Sequence, residues 1–223
     1  MKVVAFVPVK LNNERLPGKN TKAFSNGRPL ISYILDTLGT VDSIDECYVY
    51  CSSPKIKEYL PDHVKYLPRE PYLDLSGTSF NEVLTTFAEK VEADIYILTH
   101  ATAPFLKKET FEKAIEALKS GNYDSALSVR KMQEFLWKDG APFNYDPASI
   151  PRTQDLEPYF VETCGMYVYT RDLIRQERRR IGHKPCLIEV SEVEACDINN
   201  SDDFVVADAI AQMLDSGKTQ KVE

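Results

Sequence analysis

Long apolar runs are missing from this 223-residue chain. None reaches the roughly 20 residues that a membrane-spanning helix needs. No stretch at its start has the pattern of a signal peptide. A soluble, cytoplasmic protein without a membrane partner is expected. Cations are scarce as well: 27 Lys and Arg face 34 Asp and Glu, a formal net charge of −7. No surplus is left to cover phosphates, which excludes general nucleic-acid binding. Zinc-ligand spacing is also absent. The cysteines are Cys47, Cys51, Cys164, Cys186 and Cys196, an odd and dispersed set with no further Cys or His at short spacing. Reduced thiols of a cytosolic protein are the expectation. The sequence contains no internal repeat and no low-complexity tract.

What is present reads as an alternation of strands and helices. Strands are expected at Val3–Val9, Glu46–Cys51, Val64–Leu67, Asp94–Thr99, Tyr123–Arg130, Tyr159–Tyr169 and Cys186–Val190. Between them, Ile31, Ile34, Leu35 and Leu38 fall on one helical face, with Pro29 in the first turn and Gly39 as stop. A short helix to Leu60 follows, then one with the stripe Phe80, Val83, Leu84, Phe87, Ala88 and Val91, opened by a Ser79/Glu82 capping box. Further helices are expected over Glu109–Lys119, from Arg171, and after Asn200 or Ser201 as the cap. This rhythm predicts right-handed crossovers and a mostly parallel sheet flanked by helices. The fold expected is a Rossmann-like three-layer α/β domain spanning residues 1–223. From 131 to 158 the pattern lapses into a long segment containing the only Trp, Trp137, as in a lid, binding loop or subunit contact.

The opening strand runs into a loop crowded with Lys10, Asn12, Asn13, Arg15, Lys19, Asn20 and Lys22 and broken by Leu16-Pro17-Gly18. In an open α/β sheet, a strand that delivers such a loop at its carboxyl end builds a phosphate or nucleotide site. An ordinary solvated loop is the other reading. Ser76 and Thr78 precede the Phe80 helix, where hydroxyls either bind an anion or base edge or merely cap the helix. The densest basic run, Arg175–Lys184, follows the pattern of a solvated helix end.

Taken together, these pieces resemble the acylneuraminate cytidylyltransferases, or CMP-sialic acid synthetases. More loosely, they resemble enzymes that activate 3-deoxy-manno-octulosonic acid. The resemblance is carried by PVKLNNERLPGKN at the start, Gly27-Arg28-Pro29-Leu30, His100-Ala101-Thr102-Ala103-Pro104, Pro151-Arg152-Thr153-Gln154 and Asp197-Ile198-Asn199-Asn200. All stand in matching order from one end of the chain to the other.

The resemblance implies transfer of CMP from CTP to an acidic 2-keto sugar, with release of pyrophosphate, Mg2+ as cofactor and a homodimer joined through the 131–158 arm. It makes Lys19, Arg152 and Asp197 catalytic. Lys10, Asn12, Asn13, Arg15, Asn20, Arg69, Ser76 and Thr78 would bind the nucleotide. His100, Thr102, Gln154 and Tyr167 would bind the sugar, and Asp197 with Asn199 the metal. Three positions depart from the sialate pattern. Lys10 replaces an arginine and loses its bidentate fork. Asn199 replaces an acidic residue and brings no charge to a metal. His100 replaces a glutamine. Two other readings stand beside this one: a transferase for a different nucleotide or sugar, and a nucleotide-binding protein without catalysis.

Overall fold

The computed structural model of the protein describes residues 1–217; residues 218–223, the end of the expected domain, lie outside the described residues. Among the described residues nine strands form: β1 (Val3–Val9), β2 (Glu46–Cys51), β3 (Val64–Pro68), β4 (Ile95–Thr99), β5 (Ser125–Met132), β6 (Trp137–Lys138), β7 (Ala141–Pro142), β8 (Tyr159–Thr170) and β9 (Pro185–Glu189). The helices are α1 (Leu30–Gly39), α2 (Phe80–Lys90), α3 (Lys108–Lys119), α4 (Arg171–Glu177) and α5 (Ser201–Asp215). No described helix is long and apolar enough to cross a membrane.

Seven strands share one sheet in the order β3-β2-β1-β4-β8-β5-β9. All run parallel except β8, which lies antiparallel between β4 and β5. Strand β1 shows why helices cover both faces. Val3, Ala5, Val7 and Val9 point into one core with α1 and α3, and Val4 and Phe6 into another with α2 and α4. That period-two alternation of wholly apolar residues is what a strand buried on both faces requires. Phe87 of α2 stacks on Phe6 at 3.9 Å between ring centroids. A third cluster seats Phe204, Ala207 and Ala211 of α5 against Phe24 and Phe105.

The short helix expected to Leu60 forms as a 3-10 helix over Pro54–Tyr59. Two local expectations need correction. Ser79 precedes α2 but makes no side-chain cap bond; the Glu82 N–H that the box would tie to its side chain donates instead to the Ser79 carbonyl at 3.0 Å. The 131–158 arm is not wholly irregular, since β6 and β7 pair as a hairpin. Its two turn residues, Asp139 and Gly140, both take positive φ (52° and 78°), the backbone that an Asp-Gly hairpin turn favours.

The topology places one site. Strand β1 has β2 on one side and β4 on the other, so successive crossovers part at its carboxyl end. The loops after β1, β3 and β4 all emerge at that edge.

Candidate active site

The loop after β1 is pinned from within. Asn20 is buried and its amide donates to the Lys10 carbonyl at 3.0 Å. Gly18 takes φ 66°, a left-handed turn that suits glycine, and a single 3-10 turn follows at Lys19–Thr21. Folded this way, the loop lines a cavity of about 190 Å³ with Lys10, Asn13, Arg15, Lys19 and Ser76. Asn13 Oδ1 is buried there without a hydrogen-bond partner. A neighbouring hollow of about 260 Å³ shares Lys10 and Ser76 and adds Arg69, Asp74, Thr78 and Phe80. The two form one groove over the carboxyl ends of β1 and β3. Asn12 is exposed beside it and does not line it.

Arg69 braces the floor of this groove. Its guanidinium is buried, donates to the Val9 carbonyl at 3.1 Å and pairs with Asp74. Asp74 in turn accepts from Ser52 at 2.5 Å. Thr78 bonds back to the Tyr72 carbonyl at 2.7 Å, which closes the loop onto itself.

Lys19 reaches across 179 residues of sequence to donate its Nζ to the Ile198 carbonyl at 2.8 Å. The Ile198 amide meanwhile donates to the Thr102 carbonyl at 2.9 Å. These two bonds draw the loops after β1 and β4 together with the Asp197 segment. Burial lowers the Lys19 pKa below the ordinary lysine value, while Asp197 attracts its charge and Arg15 and Lys10 repel it. Asn199 donates its amide to Asp197 Oδ2 at 2.7 Å, and its backbone N–H to Asp203 at 2.8 Å. Asn199 therefore aims the Asp197 carboxylate. Asp203 is taken up by α5, where it forms a capping box with Asn200. Asp197 also borders a hollow of about 470 Å³ lined by Arg130, Glu192, Cys196 and Asp203. Among the described residues no cluster of three or more His, Cys, Asp and Glu is arranged to hold a metal.

On the β4–β8 side, His100 is half-buried and its pKa is held down to about 4 by burial, with repulsion from Arg180 and Lys19. It is neutral at pH 7. Its ring lies 5.5 Å from that of Phe80. Tyr167 is fully buried in β8; its hydroxyl donates to Glu162 at 2.7 Å. Arg152 and Gln154 are not brought to this wall. Both are exposed on the arm, where Arg152 grips Asp155 with bonds of 2.7 and 2.9 Å.

A cation missed in the sequence takes a place here. The run Arg175–Lys184 is not all solvated helix end: α4 stops at Glu177, Arg178 turns left-handed at φ 52°, and Arg180 folds inward. Its guanidinium lies 3.6 Å above the Tyr167 ring and 5.2 Å from that of Phe80. The available signal was Ile181-Gly182, an apolar residue and a glycine interrupting a charged run. A roomier hollow of about 480 Å³, lined by Tyr33, Phe105 and Leu214 among others, lies apart from all these groups.

A mostly parallel sheet whose carboxyl edge gathers a lysine, an aimed aspartate and a polar groove defines a Rossmann-like α/β protein with its cationic loops at the edge where such folds place their sites. The chain belongs to the cytidylyltransferase family, whose model matches residues 4–212. It is similar to N-acylneuraminate cytidylyltransferase of Oncorhynchus mykiss, with 26% identity over 216 residues, covering 92% of this chain and 49% of that protein. The chain thus spans about half the length of that relative. It is also similar to the CMP-N,N'-diacetyllegionaminic acid synthase of Legionella pneumophila, at 29% identity over 233 aligned positions, covering 96% and 97% of the two chains. In fold it matches a solved CMP:2-keto-3-deoxy-manno-octonic acid synthetase complexed with CTP, at TM-score 0.72 and 16% identity, covering 96% of this chain and all of that one.

Proposed function

We propose that this chain transfers the cytidylyl group of CTP to an anomeric hydroxyl of an acidic 2-keto sugar and releases pyrophosphate. The observation that carries the reading is the Lys19–Ile198 bond of 2.8 Å. It sets Lys19, a cation of the loop that lines the groove, close enough to Asp197 to feel its charge. In this reaction the hydroxyl oxygen forms a bond to the α-phosphorus as the bond to the β-phosphate oxygen breaks, and the hydroxyl proton passes to water. Lys10, Arg15 and Lys19 offset the phosphate charge, an electrostatic contribution fixed in place before the substrates arrive. Arg69, Ser76 and Thr78 shape the end of the groove that receives the nucleoside. His100, neutral at pH 7, is suited to exchange hydrogen bonds with sugar hydroxyls.

Mg2+ is part of this reading, with Asp197 as its one protein carboxylate. A single carboxylate plus substrate phosphates is an ordinary set for this ion. Bound there, Mg2+ would neutralise charge on the phosphates. Asn199 acts through Asp197, since its amide nitrogen is committed to that carboxylate. A homodimer formed through the arm is supported by the exposure of Trp137, Phe143 and Ile150. A cytoplasmic location belongs to the same reading.

The test is pyrophosphate release over a grid of the four common ribonucleoside triphosphates and several acidic sugars: N-acetylneuraminate, N,N'-diacetyllegionaminate and 3-deoxy-manno-octulosonate. Turnover confined to CTP with at least one of these acids is expected. Silence with CTP, while another nucleotide or a neutral sugar turns over, would overturn the reading. Tight CTP binding by calorimetry without turnover at any Mg2+ concentration would instead favour a binding protein.

A further inference from the structure

We propose that Arg180 binds the carboxylate of the acidic sugar and so sets the enzyme's demand for an acid; this rests on the cytidylyltransferase reading above. Apart from Arg15 of the opening loop, the other arginines near the site are already paired with carboxylates. Arg69 pairs with Asp74, Arg152 with Asp155 and Arg179 with Glu177, while Arg130 lies 3.5 Å from both Glu134 and Glu192. Among the described residues, Arg180 has no ion pair and no side-chain hydrogen bond. Its guanidinium carbon lies 3.6 Å from the centre of the Tyr167 ring and 5.2 Å from that of Phe80. Stacking on aromatic rings engages the plane of a guanidinium and leaves its N–H edge free. That edge is the fork which meets a carboxylate through two parallel hydrogen bonds.

The backbone that carries Arg180 is fixed independently. Asp124 accepts from the N–H groups of His183 at 2.7 Å and Lys184 at 3.0 Å, and Ser125 Oγ accepts from Gly182 at 2.9 Å. Ile181, the next residue, packs on the α2/α4 core. An unpaired, half-buried cation is thereby presented at a constant position. Its neighbours suit a sugar acid. His100, whose charge Arg180 and Lys19 repel, is neutral at pH 7, and the Tyr167 hydroxyl is already committed to Glu162. The exposed ring of Phe80 supplies an apolar wall that also borders the groove. Of the phosphate-facing cations, Arg15 and Lys19 line the other part of the groove, and only Lys10 borders the hollow that Phe80 walls.

The experiment uses the full chain and whichever of the three acids above wild type turns over, together with the matching 1-carboxamide. Arg180→Met keeps a long side chain against Tyr167 and removes the charge and the fork. The expected result is a rise of about tenfold or more in KM for the acid, the worth of a charge-assisted bidentate contact. KM for CTP should stay unchanged, and the preference for acid over carboxamide should be lost. Arg180→Lys should recover only part of that preference, and it supplies the reading if the Met variant does not fold. An unchanged acid preference in a folded variant overturns the proposal, as does an effect confined to the CTP KM. Failure of wild type itself to turn over any acid would instead strike the cytidylyltransferase reading, and this assignment with it.

Discussion

Arg69 offers the sharpest test of how the groove is built. Its side chain is 4% exposed and that of its partner Asp74 is 12% exposed. Arg69→Met retains most of the apolar stem but strands Asp74 with only the Ser52 bond, and it removes the donor to the Val9 carbonyl. Breaking a buried pair by taking one partner costs about 3–5 kcal/mol, because the remaining charge stays desolvated. For a domain of this size 1 kcal/mol shifts Tm by about 2–4 °C, so a fall of about 6–20 °C follows. The pair itself contributes far less than this, since attraction and desolvation nearly cancel. The double variant Arg69→Met/Asp74→Leu should therefore recover much of the loss. Calorimetry at pH 7 on wild type, both single variants and the double variant completes the cycle. An Arg69→Met protein within about 2 °C of wild type, or a double variant no more stable than the single one, would refute this account.

Other outcomes follow from the same geometry. Lys19→Met should lower kcat by about a hundredfold, the usual effect of removing one positioned charge donor; a loss under about threefold in steady-state rates would remove Lys19 from the chemistry. Because the His100 pKa is depressed from 6.5 to about 4, the unfolded chain binds more protons over that range. Stability is fully present above pH 6.5 and lost as pH falls toward 4. Allowing for its half-exposed ring, His100 contributes about 1–2 kcal/mol to that loss. Urea titrations at pH 7 and pH 4 should show a correspondingly smaller loss in His100→Gln. A Cβ at Gly182 would stand 2.3 Å from the Asp124 carboxylate. Gly182→Ala should then cost about 1–3 kcal/mol in chemical denaturation, as overpacked sites do.

Much of this molecule could be read from local pattern. The β1, α1, β4 and α3 segments are strongly periodic or continuously apolar, and each formed within a residue or two of its expected bounds. Here burial and local propensity demand the same backbone, so the two signals reinforce each other. The groove residues Lys10, Asn13, Arg15, Lys19 and Ser76 were legible for the same reason: they fall on loops at the carboxyl ends of strands, and the strand order brings those loops together. The Ser79 cap failed because a side-chain cap depends on a rotamer that sequence spacing does not fix.

By itself the sequence determined the layers, the parallel core and the edge at which the polar loops gather, because those follow from hydrophobic period and chain order. Only tertiary structure decided which cations face that edge with their charge unspent. Arg152 stood in a matching motif, yet the fold leaves it on an exposed arm paired with Asp155. Arg180 stood in a run that resembled solvent-facing helix, yet the left-handed turn at Arg178 and the clamp by Asp124 bring it over Tyr167. The charge of an arginine is written in the sequence. Its availability depends on which carboxylates the fold brings within reach, and those contacts join residues far apart along the chain.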